Sequence, residues 1–338
     1  MRFEAGELSF REVFEVSSNA RRSTKIIDLE IYYHDQVGYG QASFPPYMVE
    51  NREKNLEFLS NLDISRLAYP FRFAEIHQYL DKVSPVHRPA KAAVDMALHD
   101  LAGKLTGQTV SNYLMLEPKA PLFSSFTIGI GSDEFLLRQL DKAGEFPFLK
   151  IKLGAVSDYN RHAIDLIRRH SNLPLGVDFN QGLQDRETAI RMVEWLSGKG
   201  VEYIEQPMPV ASEDDYLWLK SRSPMDIIGD ESIQTPQDII NKKELFHGVN
   251  IKLMKCGGIY RAHESVRLAR QLGLKTMLGC MVESTCAITA AAHLGALFDR
   301  LDLDGSLNIA DDPYTGMRLE HGRIIMPGGA GTGVRKAG

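Results

Sequence analysis

The chain has 338 residues, 43% of them hydrophobic and 25% charged, and a formal net charge of −5. That length suggests two domains or one large barrel with an extension, and the charge gives no electrostatic case for nucleic acid or an anionic membrane as partner. No window approaches the roughly 18 uncharged apolar residues of a membrane helix. The start, MRFEAGELSF, lacks the apolar core of a signal peptide. Three cysteines without CxxC spacing argue against a disulfide framework or a zinc site. Reduced thiols in a cytoplasmic protein are the default expectation.

Residues 1 to about 45 alternate apolar and polar positions, as in LSFREVFEV and KIIDLEIYY, and read as an antiparallel meander. A polar loop, Ser17 to Ser23, carries Arg21 and Arg22, and a second loop runs from Pro45 to Glu50. Helical periodicity follows over 52–84, then strongly over 87–104. No P-loop and no strand–GxGxxG–helix is present. From about residue 122, short β-like runs alternate with helical runs, which predicts a parallel sheet closed into a (β/α)8 barrel. The runs are 125–129, 148–153, 175–180, 201–206, 226–231, 248–253, 275–280 and 300–305. The helices between them include Tyr159–His170, Arg186–Ser197, Pro236–Lys243, Arg261–Leu272 and Thr285–Leu297. Residues 317–326, MRLEHGRIIM, read as a hairpin returning to the N-terminal sheet. The expected organisation is an α+β capping domain over 1–115, a catalytic barrel over 116–314, and a tail, 315–338, crossing back to the cap.

In such a barrel the chemistry sits at the C-terminal ends of the strands. The run FLKIKL places Lys150 and Lys152 two apart, hence on one face. Taken alone, this fits an edge strand with solvated lysines. The next three runs end in Asp178, Glu205 and Asp230. One such carboxylate could simply cap a helix. Three at matching strand ends repel unless a hard cation joins them, and Mg2+ takes oxygen ligands at about 2.0–2.1 Å. Asn180 shares a face with Asp178 and fits a partner that orients a ligating carboxylate. The sixth run, NIKLMKCGG, holds Lys252 and Lys255, and Lys255 sits beside the Gly-Gly turn. Lysines from the second and sixth strands would flank the metal, suiting removal of a proton from one face of a carbon and return to the other.

Taken together, the chain resembles the enolase superfamily, muconate-lactonizing subgroup, over nearly its whole length. The shared features are the KxK strand, the DxN strand end, EQP with Glu205, GDES with Asp230, and KLMKCGG with Lys255. The resemblance implies that Asp178, Glu205 and Asp230 bind Mg2+, that Lys152 and Lys255 are the acid/base pair, and that Lys150 assists by charge. The eighth run, Asp302-Leu303-Asp304, looks like the DxD pair of dipeptide epimerases, which holds the substrate's α-ammonium group; a loop-capping pair is the plainer alternative. The implied activity is epimerisation at the α-carbon of a dipeptide's C-terminal residue through an enediolate. Arg21 or Arg22 offers a guanidinium to an acidic side chain, which suits L-Ala-D/L-Glu from peptidoglycan, or is simply solvated. Thr127, Glu283 and Ser284 are expected to line the pocket, or to cap loops. Rival readings are an o-succinylbenzoate synthase or cycloisomerase of the same superfamily, a Schiff-base lysine aldolase, and a binding barrel without catalysis. The partner is a small dipeptide; a homo-oligomer is left open.

Overall fold

The computed structural model describes residues 1–16, 19–45, 48 and 51–337. Part of each expected cap loop, at 17–18 and at 46–47 and 49–50, lies outside the described residues. Strands β1 (Arg2–Val16), β2 (Asn19–Tyr33) and β3 (Gln36–Phe44) form an antiparallel sheet in that order. Helices α1 (Arg52–Ser60), α2 (Phe73–Val83), α3 (Arg88–Thr106) and the single turn α4 (Val110–Tyr113) complete the cap. Period-two alternation puts Ile27, Leu29 and Ile31 in one core with Ala90, Ala93 and Ala97 of α3. The contact is backbone-close: a Cβ on Gly40 would lie 1.9 Å from the Ala93 carbonyl oxygen, and one on Gly38 2.0 Å from that of Ala97. Only glycine permits that approach.

Eight parallel strands follow: β4 (Phe126–Ile128), β5 (Leu149–Lys152), β6 (Leu175–Asp178), β7 (Val201–Glu205), β8 (Asp226–Gly229), β9 (Gly248–Ile251), β10 (Lys275–Gly279) and β11 (Arg300–Asp302). Each lies beside its neighbour in sequence, and the ring closes where the Ser125 N–H donates to the Leu301 carbonyl at 3.0 Å. Helices α5 (Asp133–Ala143), α6 (Ser157–His170), α7 (Arg186–Ser197), α8 (Glu213–Lys220), α9 (Pro236–Lys242), the one-turn α10 (Leu253–Cys256), α11 (Ile259–Gln271) and α12 (Thr285–Ala292) wrap it. Residues such as Ile151, Val177 and Ile204 join the helices in one large core. The alternate positions point inward. Near the floor, Tyr203, Ile228 and Met277 pack with Phe148. A Cβ on Gly176 would lie 2.1 Å from the Tyr203 ring, so this layer is filled.

Three expectations need correction. Arg21 and Arg22 lie within β2, not in a loop, because the first hairpin is long and pairs Phe14 with Arg21 near its tip. The helix expected to reach Leu297 ends at Ala292, and a short 3-10 turn, Gly295–Leu297, follows. The hairpin of β13 (Arg318–Glu320) and β14 (Arg323–Ile325), which follows the two-residue β12 (Tyr314–Thr315), does not return to the cap sheet. It docks under the barrel, where Ser124 N–H meets the Gly322 carbonyl and Ile324 N–H the Leu122 carbonyl. The chain beyond it does reach the cap: Thr332 N–H donates to Asp100 at 2.8 Å, and Lys336 in β15 (Arg335–Lys336) pairs with Glu30. Among the described residues no helix is long and apolar enough to cross a membrane.

Candidate active site

The carboxylates of Asp178, Glu205 and Asp230 end β6 and β7 and follow β8, and each is at most 1% exposed. One oxygen from each lies within 4.8 Å of the others. Around them sit four lysines. Lys150 Nζ lies 2.7 Å from Glu205 Oε2, 3.3 Å from Asp178 Oδ2 and 2.7 Å from Asp302 Oδ2. Lys152 Nζ donates to Asp178 Oδ2 at 2.6 Å and to Asn180 Oδ1 at 3.2 Å. Lys252 Nζ donates to Asp230 Oδ2 at 2.8 Å, and Lys255 Nζ to Asp230 Oδ1 at 2.5 Å.

Electrostatics favour a cation at the three carboxylates. Burial, and then the adjacent Asp178, push the Glu205 carboxyl up to about 8. Burial also opposes ionisation of Asp178 and Asp230, but lysines hold both below the usual carboxylate range: Lys152 and Lys150 for the first, Lys252 and Lys255 for the second. Among the described residues no hydrogen-bond donor is aligned on the buried Glu205 Oε2, which ion-pairs with Lys150. An all-oxygen, anionic donor set with one such oxygen fits a hard divalent cation.

The three carboxylates do not themselves line the adjoining cavity of about 710 Å3. Lys150, Lys152, Asn180, Thr127, Asp302, Asp304 and Arg21 line it, and so does Lys252. Lys255 does not. The residue after Ile251 leaves the sheet, so Lys252 carries the strand's inward parity to the mouth while Lys255 sits one helical turn further on in α10, beneath Asp230. The parity argument that joins Lys150 to Lys152 also joins Asn250 to Lys252, and would have identified it.

Asp302 and Asp304 help close the ring. Asp302 Oδ1 accepts from Ser125 Oγ at 2.7 Å, and Asp304 Oδ2 from the Thr127 N–H at 2.6 Å. Their environments differ. Burial works against the Asp302 charge, but Lys150 wins and holds its carboxyl down at about 2; burial and then Asp302 push Asp304 up to about 7. Asn180 adopts a left-handed φ of 42°, bonds Asp178 Oδ1 through its own N–H, and donates to Glu231 Oε1 at 3.1 Å.

The remaining residues separate by position. Arg22 is exposed and does not line the cavity, because it lies on the opposite face of β2 from Arg21. Glu283 and Ser284 are buried outside the lining. Glu283 Oε2 bonds Ser43 of the cap at 3.0 Å, and Ser284 caps α12 through Cys286 N–H. Sequence reasoning missed the cap's main contribution. The pairing of β1 with β2 slips between Ser9 and Phe14. This bulge carries Arg11, Glu12, Val13 and Phe14 to the cavity. Glu12 is latched to the barrel by Lys142 at 2.7 Å and by Gln139, and its N–H donates to Asn308 at 3.0 Å.

Comparison with known proteins agrees with this arrangement. Residues 10–114 match the Mandelate racemase / muconate lactonizing enzyme, N-terminal domain family, and residues 134–336 the Enolase C-terminal domain-like family. An L-Ala-D/L-Glu epimerase of Bacteroides thetaiotaomicron is 41% identical over 99% of this chain and 88% of its own length. An L-Ala-D/L-amino acid epimerase of Pedosphaera parvula is 38% identical over 85% of this chain and 83% of its own. The dipeptide epimerase of Enterococcus faecalis, solved with Mg and the dipeptide L-Leu-L-Tyr, superposes with a TM-score of 0.92 at 28% identity, covering 98% of each chain. The chain therefore belongs to the enolase superfamily, with the mandelate racemase and muconate lactonizing enzymes, and is an isomerase of the racemase and epimerase kind.

Proposed function

We propose that the protein epimerises dipeptides at the α-carbon of the C-terminal residue, with Mg2+ held by Asp178, Glu205 and Asp230. The observation that carries this is the placement of Lys152 and Lys252 at the ends of the second and sixth strands of the eight-stranded ring, each bonded to a different carboxylate of the cluster and each facing the cavity. Two amines on opposite walls suit removal of a proton from one face and delivery to the other. Lys252, rather than Lys255, is the second acid/base, because a base must reach its proton and Lys255 has no access to the cavity. When bound, Mg2+ supplies electrostatic stabilisation for the substrate carboxylate as the enediolate develops. Lys150, fully buried and held protonated by Asp302, Glu205 and Asp178 against the cost of burial, adds a fixed positive charge beside it. Asp304 receives the α-ammonium, since a desolvated ammonium needs an anionic acceptor.

Support for L-Ala-D/L-Glu as substrate comes from Arg21 at the cavity wall and from the activity named for the Bacteroides relative. Such a dipeptide is a peptidoglycan fragment, and its breakdown in the cytoplasm fits a chain whose three cysteines are unpaired. The test is incubation of a dipeptide library with the enzyme and Mg2+ in D2O. Deuterium at the C-terminal α-carbon of L-Ala-L-Glu is expected; incorporation into no dipeptide, or turnover of o-succinylbenzoate precursors or muconates instead, would refute the reading. Lys152→Ala and Lys252→Ala should each lose exchange by at least about 100-fold, each from a different enantiomer. Borohydride trapping of a lysine adduct would favour the aldolase.

A further inference from the structure

Lys255 and Asn250 have no place in the proton transfers proposed above, yet both are buried and both touch the metal carboxylates. A lysine ammonium has three N–H groups. Those of Lys255 are all engaged: with Asp230 Oδ1, with the Asp230 backbone carbonyl at 2.6 Å, and with the Asn250 backbone carbonyl at 2.9 Å. The lysine thus ties β9 to the end of β8 and holds Asp230 by side chain and main chain together. Asn250 Nδ2 donates to Glu205 Oε1 at 2.8 Å, reaching across β8 to the end of β7. The barrel makes room for this amide, since a Cβ on Gly279 would lie 2.5 Å from Asn250 Oδ1.

The turn that carries Lys255 is itself anchored. It ends in Gly257 and Gly258, with φ of 99° and 117°, a backbone that favours glycine. Asp95, on α3 of the cap, accepts from the Ile259 N–H immediately after them. A Cβ on Gly258 would lie 2.4 Å from Asp95 Oδ1. Met254 Sδ, one residue before Lys255, receives the Ser43 N–H of β3 at 3.5 Å. The cap therefore fixes the turn from which Lys255 reaches Asp230.

From this geometry we infer that Lys255 and Asn250 are positioning residues: they set the orientation of Asp230 and Glu205 for the cation, and Lys255 exchanges no proton with substrate. The inference rests on the reading that Asp178, Glu205 and Asp230 hold Mg2+. Partners of ligating groups typically change metal affinity by about 10- to 100-fold when removed. The physical reason is that a carboxylate free to rotate must be ordered before it can bind.

The experiment measures Mg2+ binding by calorimetry and α-deuterium exchange from both epimers of the dipeptide, on the full chain. Asn250→Ala is expected to bind Mg2+ about 10- to 100-fold more weakly than wild type, with exchange partly restored by raised Mg2+. Lys255→Met is expected to lose exchange from both epimers by the same factor, unlike Lys252→Ala, which loses it from one epimer at any Mg2+ concentration. If the methionine variant does not fold, Lys255→Gln, which keeps two N–H donors for Asp230, carries the same measurement. Loss from a single epimer in the Lys255 variant makes that lysine a base and overturns the inference, as does wild-type Mg2+ affinity in Asn250→Ala. Absence of Mg2+ binding by the wild type overturns the metal reading first, and this one with it.

Discussion

Asp302 and Asp304 come from one short motif but are held differently. Asp302 is bonded by Lys150, Ser125 and Thr127, whereas among the described residues the Asp304 carboxylate is bonded through Thr127 alone and burial and Asp302 push its carboxyl up to about 7. Asp304 should therefore be the member of the pair that the substrate's ammonium stabilises. Asp304→Asn is expected to weaken binding of free-amino dipeptides by about 2 kcal/mol or more, roughly 30-fold. N-acetylated dipeptides, lacking the charge, should show no such change in KM. The wild-type KM for free-amino dipeptides should also rise as pH falls through about 7, because only the ionised carboxylate attracts the ammonium. A KM flat from pH 6 to 8.5 would count against Asp304.

At the scale of elements, the cap depends on sheet and helix approaching at backbone distance. Gly38 and Gly40 of β3 face the carbonyls of Ala97 and Ala93 on α3. Gly40→Ala cannot be absorbed by a side-chain rotation, since the clash is with main chain, so β3 must move off α3. The expected cost is about 2–3 kcal/mol, read as a lowered denaturant midpoint. Because β3 also carries Ser43, which bonds Glu283 in the barrel, the KM should rise as well. The β1 bulge is the second element whose geometry matters. Its latch to α5 through Glu12 is half-exposed and ionic, so Glu12→Gln should alter KM modestly and in a salt-dependent way, with kcat little changed.

For the whole molecule, pH acts through acids that folding buries. Burial raises Glu283 from its ordinary 4.5 to about 7, outweighing its bond from Ser43 and the attraction of Lys252. The folded protein thus keeps that proton to higher pH than the unfolded chain. Its contribution to stability is complete below about 4.5 and is lost as pH rises through about 7, a change of about 3 kcal/mol at most. Glu283→Gln, neutral at every pH, should flatten the fall in Tm between about pH 4.5 and 7. A wild-type slope in that variant would exclude Glu283 as its source.

The barrel was legible in the sequence because its strands and helices have different periods and alternate along the chain, so local pattern and global topology agree. The three carboxylates and the KxK pair were legible for the same reason: strand ends and side-chain parity are local properties. Lys252 was legible by parity too, but the Gly-Gly turn drew attention to Lys255, and only the one-turn α10 decided which lysine reaches the cavity. Nothing local marks Arg11 to Phe14 as cavity residues, because the bulge depends on the register between β1 and β2 and its seat on the barrel on contacts with Lys142 and Asn308, far along the chain. The hairpin at 317–326 was recognisable, but its docking site beneath the barrel depends on the edge left by residues 122–124. What the sequence alone determined was therefore the periodic part of the protein and the chemistry at its strand ends. Tertiary structure decided which of those groups share the cavity, because that depends on contacts between residues far apart in the chain.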